Sequence, residues 1–393
     1  MVKSLLYFFY FAIIEIIKLG YFYRMGEYIM SVLLKGHEQI VNELNILYQV
    51  MVAEQLIEAK QLKEKIEKQI NKIEADQTLS LYYSLLNFKY KVLTDWTNIK
   101  YDTFSQIVRL DNPITEDFIT YYYHFFKAEH ATIIGNYDEA KKEYEKAESL
   151  LKHVPGELEE AEYKYKFAIF NHHTNKPLTA INYANQAKEI FSKYPRYEIK
   201  IALCENILGS CSVYLKQFEQ AEENYNSAIN ILQKLKDDTL ILKVRNNLGW
   251  LYSSQNLSTL AIRHLTIVTN KLPKHLKANF LQAKEHFSLN EKELANDWVQ
   301  KGLEICNELN NQEYKHHFTI LKTQHTGILD DLENAIIAGT TYFNSKELYD
   351  YVQEYYELLA VEFHKVNKIE KSQKYFFKTY EAKQKLLTKE ALR

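Results

Sequence analysis

The residue types that most often carry chemistry are sparse in this chain and poorly spaced for it. The three cysteines, Cys204, Cys211 and Cys306, form no CxxC pair. An odd, sparse set suits a reducing cytosol better than a disulfide framework. Cys204 and Cys211 stand seven apart on one helical face and read as small core residues. His172–His173 and His316–His317 are adjacent pairs, not the i,i+4 spacing that turns two imidazoles toward one metal ion. No Ser-His-Asp or Cys-His set can be assembled without a fold to converge it. There is no GxGxxG and no GxxxxGK[ST], so no loop cradles a nucleotide phosphate in the Rossmann or P-loop manner. The Lys/Glu alternation over 60–74 reads as a solvated helix face with i,i+4 pairs. Behind it the polar break EADQ (74–77) carries Gln77, which on its own reads as an exposed loop amide or a helix cap.

The elements that must position these residues are helices. The 393 residues hold only 10 glycines and 5 prolines, too few for the turns of a sandwich, a barrel or a doubly wound sheet. The length allows two or three domains. Forty-nine basic residues face 51 acidic ones, for a net charge of −2. No basic excess or cationic arm marks a nucleic-acid binder, and no helix-turn-helix precedes the repeats described below. The 31 Tyr and 20 Phe, at helical spacing, read as core and groove lining.

Self-similarity organises most of the chain. Ala140, Ala180, Ala221, Ala261, Ala295, Ala335 and Ser372 are spaced 40, 41, 40, 34, 40 and 37 residues apart. Each opens a similar segment, such as AKKEYEKA (140–147), AINYANQA (180–187) and AEENYNSA (221–228). Small-x3-aromatic-x2-small places three residues on one helical stripe. Twelve residues before these anchors stand Ala128, Ala168, Gly209, Gly249, Ala283, Thr323 and Ala360, mostly small enough to let two helices approach closely. Short polar breaks such as GNYDE, NKPLT and KQFEQ lie between. Each unit is therefore a helical hairpin that buries its apolar face only by stacking, which gives an α-solenoid with a concave groove. The spacing resembles the tetratricopeptide repeat over residues 120–390. NNLGWLYSSQNLSTLA (246–261) matches its consensus at Leu248, Gly249, Tyr252 and Ala261, and the other units are degenerate.

Residues 37–110 do not share this register. HEQIVNELNILYQVMVAEQ, AEQLIEAKQLKEKIEKQINKI and LSLYYSLLNFKYKVLTDW (79–96) read as three amphipathic helices with short connections, a small bundle. Asn112–Pro113 marks its junction with the repeats. Ahead of the bundle, SLLYFFYFAII (4–14) is an apolar run, shorter than the roughly 20 residues a spanning helix needs. It reads as an interfacial anchor, as a helix docking on the fold, or as upstream sequence before a true start at Met25 or Met30.

EADQTLSLYYSLLNFKYKVL (74–93) resembles the segment EEDQDLxLYYSLMEFRHxLM of the Rap family, the bacillus response regulator aspartate phosphatases regulated by Phr peptides. YYHFFKAE and DEAKKEYEKAESLL, within 121–151, resemble that family's first repeat. Leu47 departs from it, standing where many members have Trp in NEWY. The resemblance implies an all-α fold. An N-terminal three-helix bundle (37–110) is followed by a right-handed tetratricopeptide-type α-solenoid of about seven helical hairpins (111–393), with residues 1–36 as an apolar extension.

The resemblance also implies the chemistry. Gln77 matches the glutamine that catalytic members insert into a phosphorylated response regulator. An aspartyl phosphate is already a reactive acyl phosphate, so hydrolysis needs mainly an oriented water, which an amide can hold. The chain itself needs no cofactor or metal, because Mg²⁺ is expected in the response regulator. Asp76 and Phe88 match partner-contact positions, and Tyr82 and Tyr83 either pack or contact the partner. The repeat groove is expected to bind a short secreted and re-imported signalling peptide. Asn247 matches the asparagine that clamps the peptide backbone, since an amide pairs with both C=O and N–H. Asn246, Lys243, Trp250, Lys284 and Gln324 join it by inner-helix phase. Tyr214 falls where some members carry an Asp for a basic peptide residue.

The expected protein is thus a cytoplasmic quorum-sensing regulator, with no direct nucleic-acid partner and no membrane partner. It acts as a phosphatase on a response regulator of the sporulation relay. The alternatives are non-catalytic sequestration of a transcription factor's DNA-binding domain and a generic repeat scaffold.

Overall fold

The computed structural model describes residues 38–69, 76–95, 98–108, 117–154 and 156–391. The apolar run at 4–14 and the Asn112–Pro113 junction lie outside the described residues. The described residues form helices and no strand. Three long helices come first: α1 (Glu38–Val52), α2 (Leu56–Glu67) and α3 (Gln77–Asp95). A short α4 (Thr103–Ile107) follows. Seven antiparallel hairpins complete the chain. They are α5 (Asp117–Ile133) with α6 (Tyr137–Leu151), α7 (Glu157–His173) with α8 (Pro177–Ser192), and α9 (Glu198–Tyr214) with α10 (Phe218–Leu235). Next come α11 (Asp238–Ser254) with α12 (Ser258–Lys271), and α13 (Leu276–Ser288) with α14 (Lys292–Glu308). The last two are α15 (Gln312–Gln324) with α16 (Leu329–Ser345), and α17 (Tyr349–Lys365) with α18 (Ile369–Ala391). The chain divides into two compact units, one ending at Leu208 and one starting at Gly209.

The turn inside every hairpin holds one residue at positive φ: Gly135, Asn175, Lys216, Asn256, Asn290, Gly327 and Asn367. The left-handed conformation ends the first helix and frees the chain to reverse. Asparagine tolerates it better than most residues because its short side chain bonds locally. Five residues beyond each such turn a buried residue sets the second helix: Ala140, Ala180, Ala221, Ala261, Ala295, Leu332 and Ser372.

The sixth of these corrects the sequence register, which pointed to Ala335 and Thr323. The structural equivalents are Leu332 and Ile320, one helical turn earlier and both buried. Bulk is exchanged across this hairpin. A Cβ on Gly339, seven residues after Leu332, would come within 2.8 Å of the Ile320 Cδ1. Elsewhere the small residue sits at the expected place. A Cβ on Gly209 would meet the Tyr225 ring at 2.7 Å, so only glycine lets α9 approach α10 that closely.

In the first unit α1 and α3 pack on α5, and α3 also on α4, through aromatic rings. The Tyr48 ring lies 5.0 Å edge-on from Tyr122, and Phe88 lies 4.9 Å edge-on from Phe104. Inside this apolar packing runs a chain of buried charges. Lys89 of α3 contacts Glu162 of α7 at 2.8 Å and Glu129 of α5 at 3.4 Å. Lys200 of α9 contacts Glu162 at 2.9 Å and Glu54, just past α1, at 3.0 Å. Lys166 of α7 reaches Glu129 at 2.5 Å. The side chains of Lys89, Lys200 and Glu162 have no exposed surface. Burial disfavours the Glu162 carboxylate, but Lys200, Lys89 and Lys166 outweigh it and hold the carboxyl well below its ordinary range. Burial likewise opposes the charge on Lys89, and Glu129 and Glu162 overcome it.

Removing one member strands the others without water or a counter-charge. Lys89→Met is expected to destabilise the protein by about 3–5 kcal/mol, read by chemical denaturation. A loss under about 1 kcal/mol would mean that the cluster behaves as a solvated surface pair.

Candidate functional site

The first candidate site is the N-terminus of α3. The Asp76 carboxylate Oδ1 accepts the backbone N–H of Thr78 at 2.9 Å and of Leu79 at 3.1 Å. The Asp76 carbonyl accepts the Ser80 N–H at 2.9 Å. Asp76 is therefore the N-cap, and its side chain satisfies two of the four N–H groups that a helix start leaves without a partner. Gln77 is the first helical residue and is exposed. The opposite stripe of α3 buries Leu79, Tyr82, Tyr83, Leu86 and Lys89, which fixes the rotation of the helix. A carboxamide is thus held on a capped, positively polarised helix end, suited to orienting a water or an anionic oxygen.

Phe88, expected at the partner surface, lies in packing instead, and of the two roles open for Tyr82 and Tyr83 the structure shows packing. Phe88 is fully buried between Phe104, His130 and Phe126. Tyr82 is buried, donates to the Asn45 Oδ1 at 3.0 Å and packs on Phe118 and Tyr122. Tyr83 is buried and donates to Glu67 Oε1 at 3.4 Å. Tyr82 and Tyr83 lie with Leu79 and Leu86 on one stripe, Tyr82 covered by α1 and α5 and Tyr83 by α2, whereas Phe88 lies on another side of the helix and is covered by α4 and α5. Leu47 is also core, with 1% of its surface exposed.

The second candidate site lies in the second unit, on the first helices of its hairpins. On α11, Asn247 is half-buried, Lys243 exposed and Trp250 half-buried. Asn246 is buried, and its Oδ1 meets no hydrogen-bond donor among the described residues. Lys277 of α13 places its ammonium 5.1 Å over the Trp250 ring, and burial pushes that ammonium below its ordinary pKa. Lys284, exposed two turns further along α13, acts on the Glu354 carboxylate of α17. Burial raises the Glu354 carboxyl, Lys284 offsets part of this, and Asp350 adds to it. Glu313 of α15 is raised by burial and by Asp350. Tyr214 is exposed near the start of this unit, and Gln324 is half-buried at the end of α15. The structure therefore links Trp250 to α13 and Lys284 to α17.

Sequence reading missed Lys277, Glu313, Asp350 and Glu354. Lys277 and Lys284 share a face at seven-residue spacing, and Asp350 and Glu354 share one at four. Those spacings were the available signal.

The remaining candidates are structural. The cysteines are buried and free, and burial pushes the Cys211 thiol up to about 12 and Cys306 up to about 11, far from thiolate chemistry. His317 bonds to the Tyr355 hydroxyl, stacks on Phe343, and is pushed by burial down to about 4. His173 stacks on Tyr137, and burial lowers it too.

A family model described as response regulator aspartate phosphatase H, N terminal, matches residues 35–95, the bundle that carries Gln77. The regulatory protein RapF of Bacillus subtilis (strain 168) is 25% identical over 83% of this chain and 90% of its own. The chain resembles Rap proteins over most of its length. Another Rap relative, response regulator aspartate phosphatase I of the same organism, is 26% identical over 89% of this chain and 92% of its own. A solved structure of a Rap protein complexed with competence and sporulation factor matches with a TM-score of 0.78 at 22% identity. It covers 90% of this chain and 99% of the other, so the all-α hairpin fold is shared along both units. No described helix of this chain is long and apolar enough to cross a membrane.

The cap makes a local prediction. Asp76→Ala should lower stability by about 0.5–2 kcal/mol, read by thermal or denaturant unfolding, because two backbone N–H groups lose their acceptor. An unchanged stability would refute the capping role.

Proposed function

We propose that this chain is a cytoplasmic Rap-type regulator that removes the phosphoryl group from a response regulator's aspartyl phosphate and is inhibited by a short imported peptide bound along the repeats. The observation that carries this reading is the placement of Gln77, exposed at the first position of a helix capped by Asp76 and pinned by its buried stripe. In the proposed reaction the Gln77 amide oxygen accepts a hydrogen bond from the attacking water, and its N–H donates toward a phosphoryl oxygen. The water attacks phosphorus, the P–O bond to the aspartyl carbonyl carbon's oxygen breaks, and carboxylate and inorganic phosphate leave. Mg²⁺, held by the response regulator, neutralises charge on the phosphoryl group. The chain supplies position rather than a nucleophile. The half-buried cap residue Asp76 and its surroundings would meet the partner, while Phe88, Tyr82 and Tyr83 support α3 from within.

Phosphate release from a phosphorylated sporulation-type response regulator tests this. Wild type should accelerate release, and Gln77→Ala should lose about 100-fold while still binding the regulator. A wild-type protein that leaves the phosphate in place ends the catalytic reading. The second reading, stoichiometric sequestration of a transcription factor's DNA-binding domain, draws support from a 26% identical relative named as a transcriptional activator, NprA of Geobacillus stearothermophilus. A stable complex with such a domain, unaffected by Gln77→Ala, is its expected signature.

For the peptide, Asn247 is proposed as the backbone clamp. Asn246, Lys243, Trp250, Lys284, Gln324 and Tyr214 contribute around it. The buried, unpaired Oδ1 of Asn246 supports an amide-donor ligand on α11. A panel of synthetic pentapeptides supplies the probe. Asn247→Ala should weaken the binding peptide about tenfold, the equivalent of one or two hydrogen bonds, in a fluorescence anisotropy titration. Equal affinity of variant and wild type would remove Asn247 from the site.

A further inference from the structure

The buried acid Glu159 sits one helical turn from Glu162 and is treated quite differently. The residue is 5% exposed, and its carboxyl forms no ion pair among the described residues. Tyr48 of α1 donates to its Oε1 at 2.7 Å, and Tyr121 of α5 donates to the same oxygen at 3.0 Å. Tyr122 of α5 bonds its Oε2 at 3.2 Å. Tyr82 of α3 and Tyr197, just ahead of α9, also feel its charge. On its own helix the charged neighbour is the Glu162 carboxylate. The nearby ammonium groups, Lys89 and Lys200, are engaged by Glu162. Glu159 is therefore enclosed by tyrosine hydroxyls and one like charge.

Such a cage accepts the carboxyl in either protonation state. As an anion it takes three O–H donors. As a neutral acid it still accepts from Tyr48 and Tyr121 on one oxygen and donates from the other to the Tyr122 hydroxyl, which can turn from donor to acceptor. Burial drives the group upward, the tyrosine hydrogen bonds pull it back, and Glu162 pushes it up again, to about 7. Tyr48 is the cage member contributed by the N-terminal bundle helix α1. When α1 leaves, the cage opens to water and the carboxyl returns to ordinary acidity.

We propose that seating α1 on α5 and α7 takes up a proton at the Glu159 carboxyl, so that the docking of the N-terminal bundle is coupled to pH. The direction follows from linkage. Between the ordinary carboxyl range, about 4.5, and about 7, the docked form holds more protons than the undocked form. Docking is strongest at the acidic end of that interval, weakens as pH rises through it, and stops changing above about 7. The span ends in the neutral range, so modest shifts of pH below 7 change how often α1 lifts.

Amide hydrogen exchange of α1 in the full-length protein, corrected for intrinsic exchange rates, measures this lifting between pH 5.5 and 8. In wild type the opening equilibrium should rise by up to about tenfold per pH unit and level off near 7. Glu159→Gln keeps the shape and cannot titrate, so its opening should lose that rise. Tyr48→Phe removes one hydroxyl that favours the anion, so its levelling point should move to higher pH. The same pH dependence in wild type and Glu159→Gln overturns the proposal, as does a levelling point in Tyr48→Phe unchanged or moved to lower pH. If Glu159→Gln does not fold, the ¹³C-carboxyl titration of Glu159 in the wild-type protein decides. Titration near neutrality supports the coupling, and titration in the ordinary carboxylate range refutes it.

Discussion

The Glu162 carboxylate, held between Lys89 and Lys200, is the contact on which the first unit depends. It gathers α3, α7 and α9 at one buried point, and Glu54 extends the set to the end of α1. Ions taken from water repay their lost hydration only when geometry is close and every charge is answered. An apolar seam would let the bundle slide by a turn at modest cost. A set of opposite charges at 2.8–3.4 Å admits one register. That register fixes which stripe of α3 is buried, and so leaves Gln77 outside.

The same register explains what the sequence could and could not reveal. The hairpins were legible because two signals repeat together, small residues at the crossing points and short polar breaks between helices. The sixth hairpin misled that pattern because Leu332 and Ile320 replace the small pair and Gly339 takes the space back. A search for small residues then settles one turn too late, on Ala335 and Thr323. The charge cluster was hidden for a different reason. In ELEEAEYKYK (157–166) the acids and lysines look like a solvated face, and only packing from three other helices shows that Glu159 and Glu162 are inside.

The candidate site divides in the same way. The capping role of Asp76 was readable in principle, since an Asp directly before a helical run is a start signal. The burial of Phe88, Tyr82 and Tyr83 was not, because a helix apolar on most sides does not declare which aromatic ring faces a partner and which faces the core. On α11, Asn246 and Asn247 are neighbours in sequence and differ in burial. The two candidate regions belong to different compact units, Gln77 in the first and Asn247 in the second. The proposed chemistry and its proposed control therefore fall in different units of the chain.

The left-handed turn residues carry one more consequence. Five of the seven hairpin turns place a side chain, not glycine, at positive φ. Each accepts a small conformational strain in the folded chain. In return, the unfolded chain is denied the extra freedom that glycine would give it at every reversal. Across a stack of hairpins these small differences in chain entropy accumulate. A protein with 10 glycines in 393 residues can thus turn back on itself repeatedly while its unfolded ensemble stays comparatively narrow.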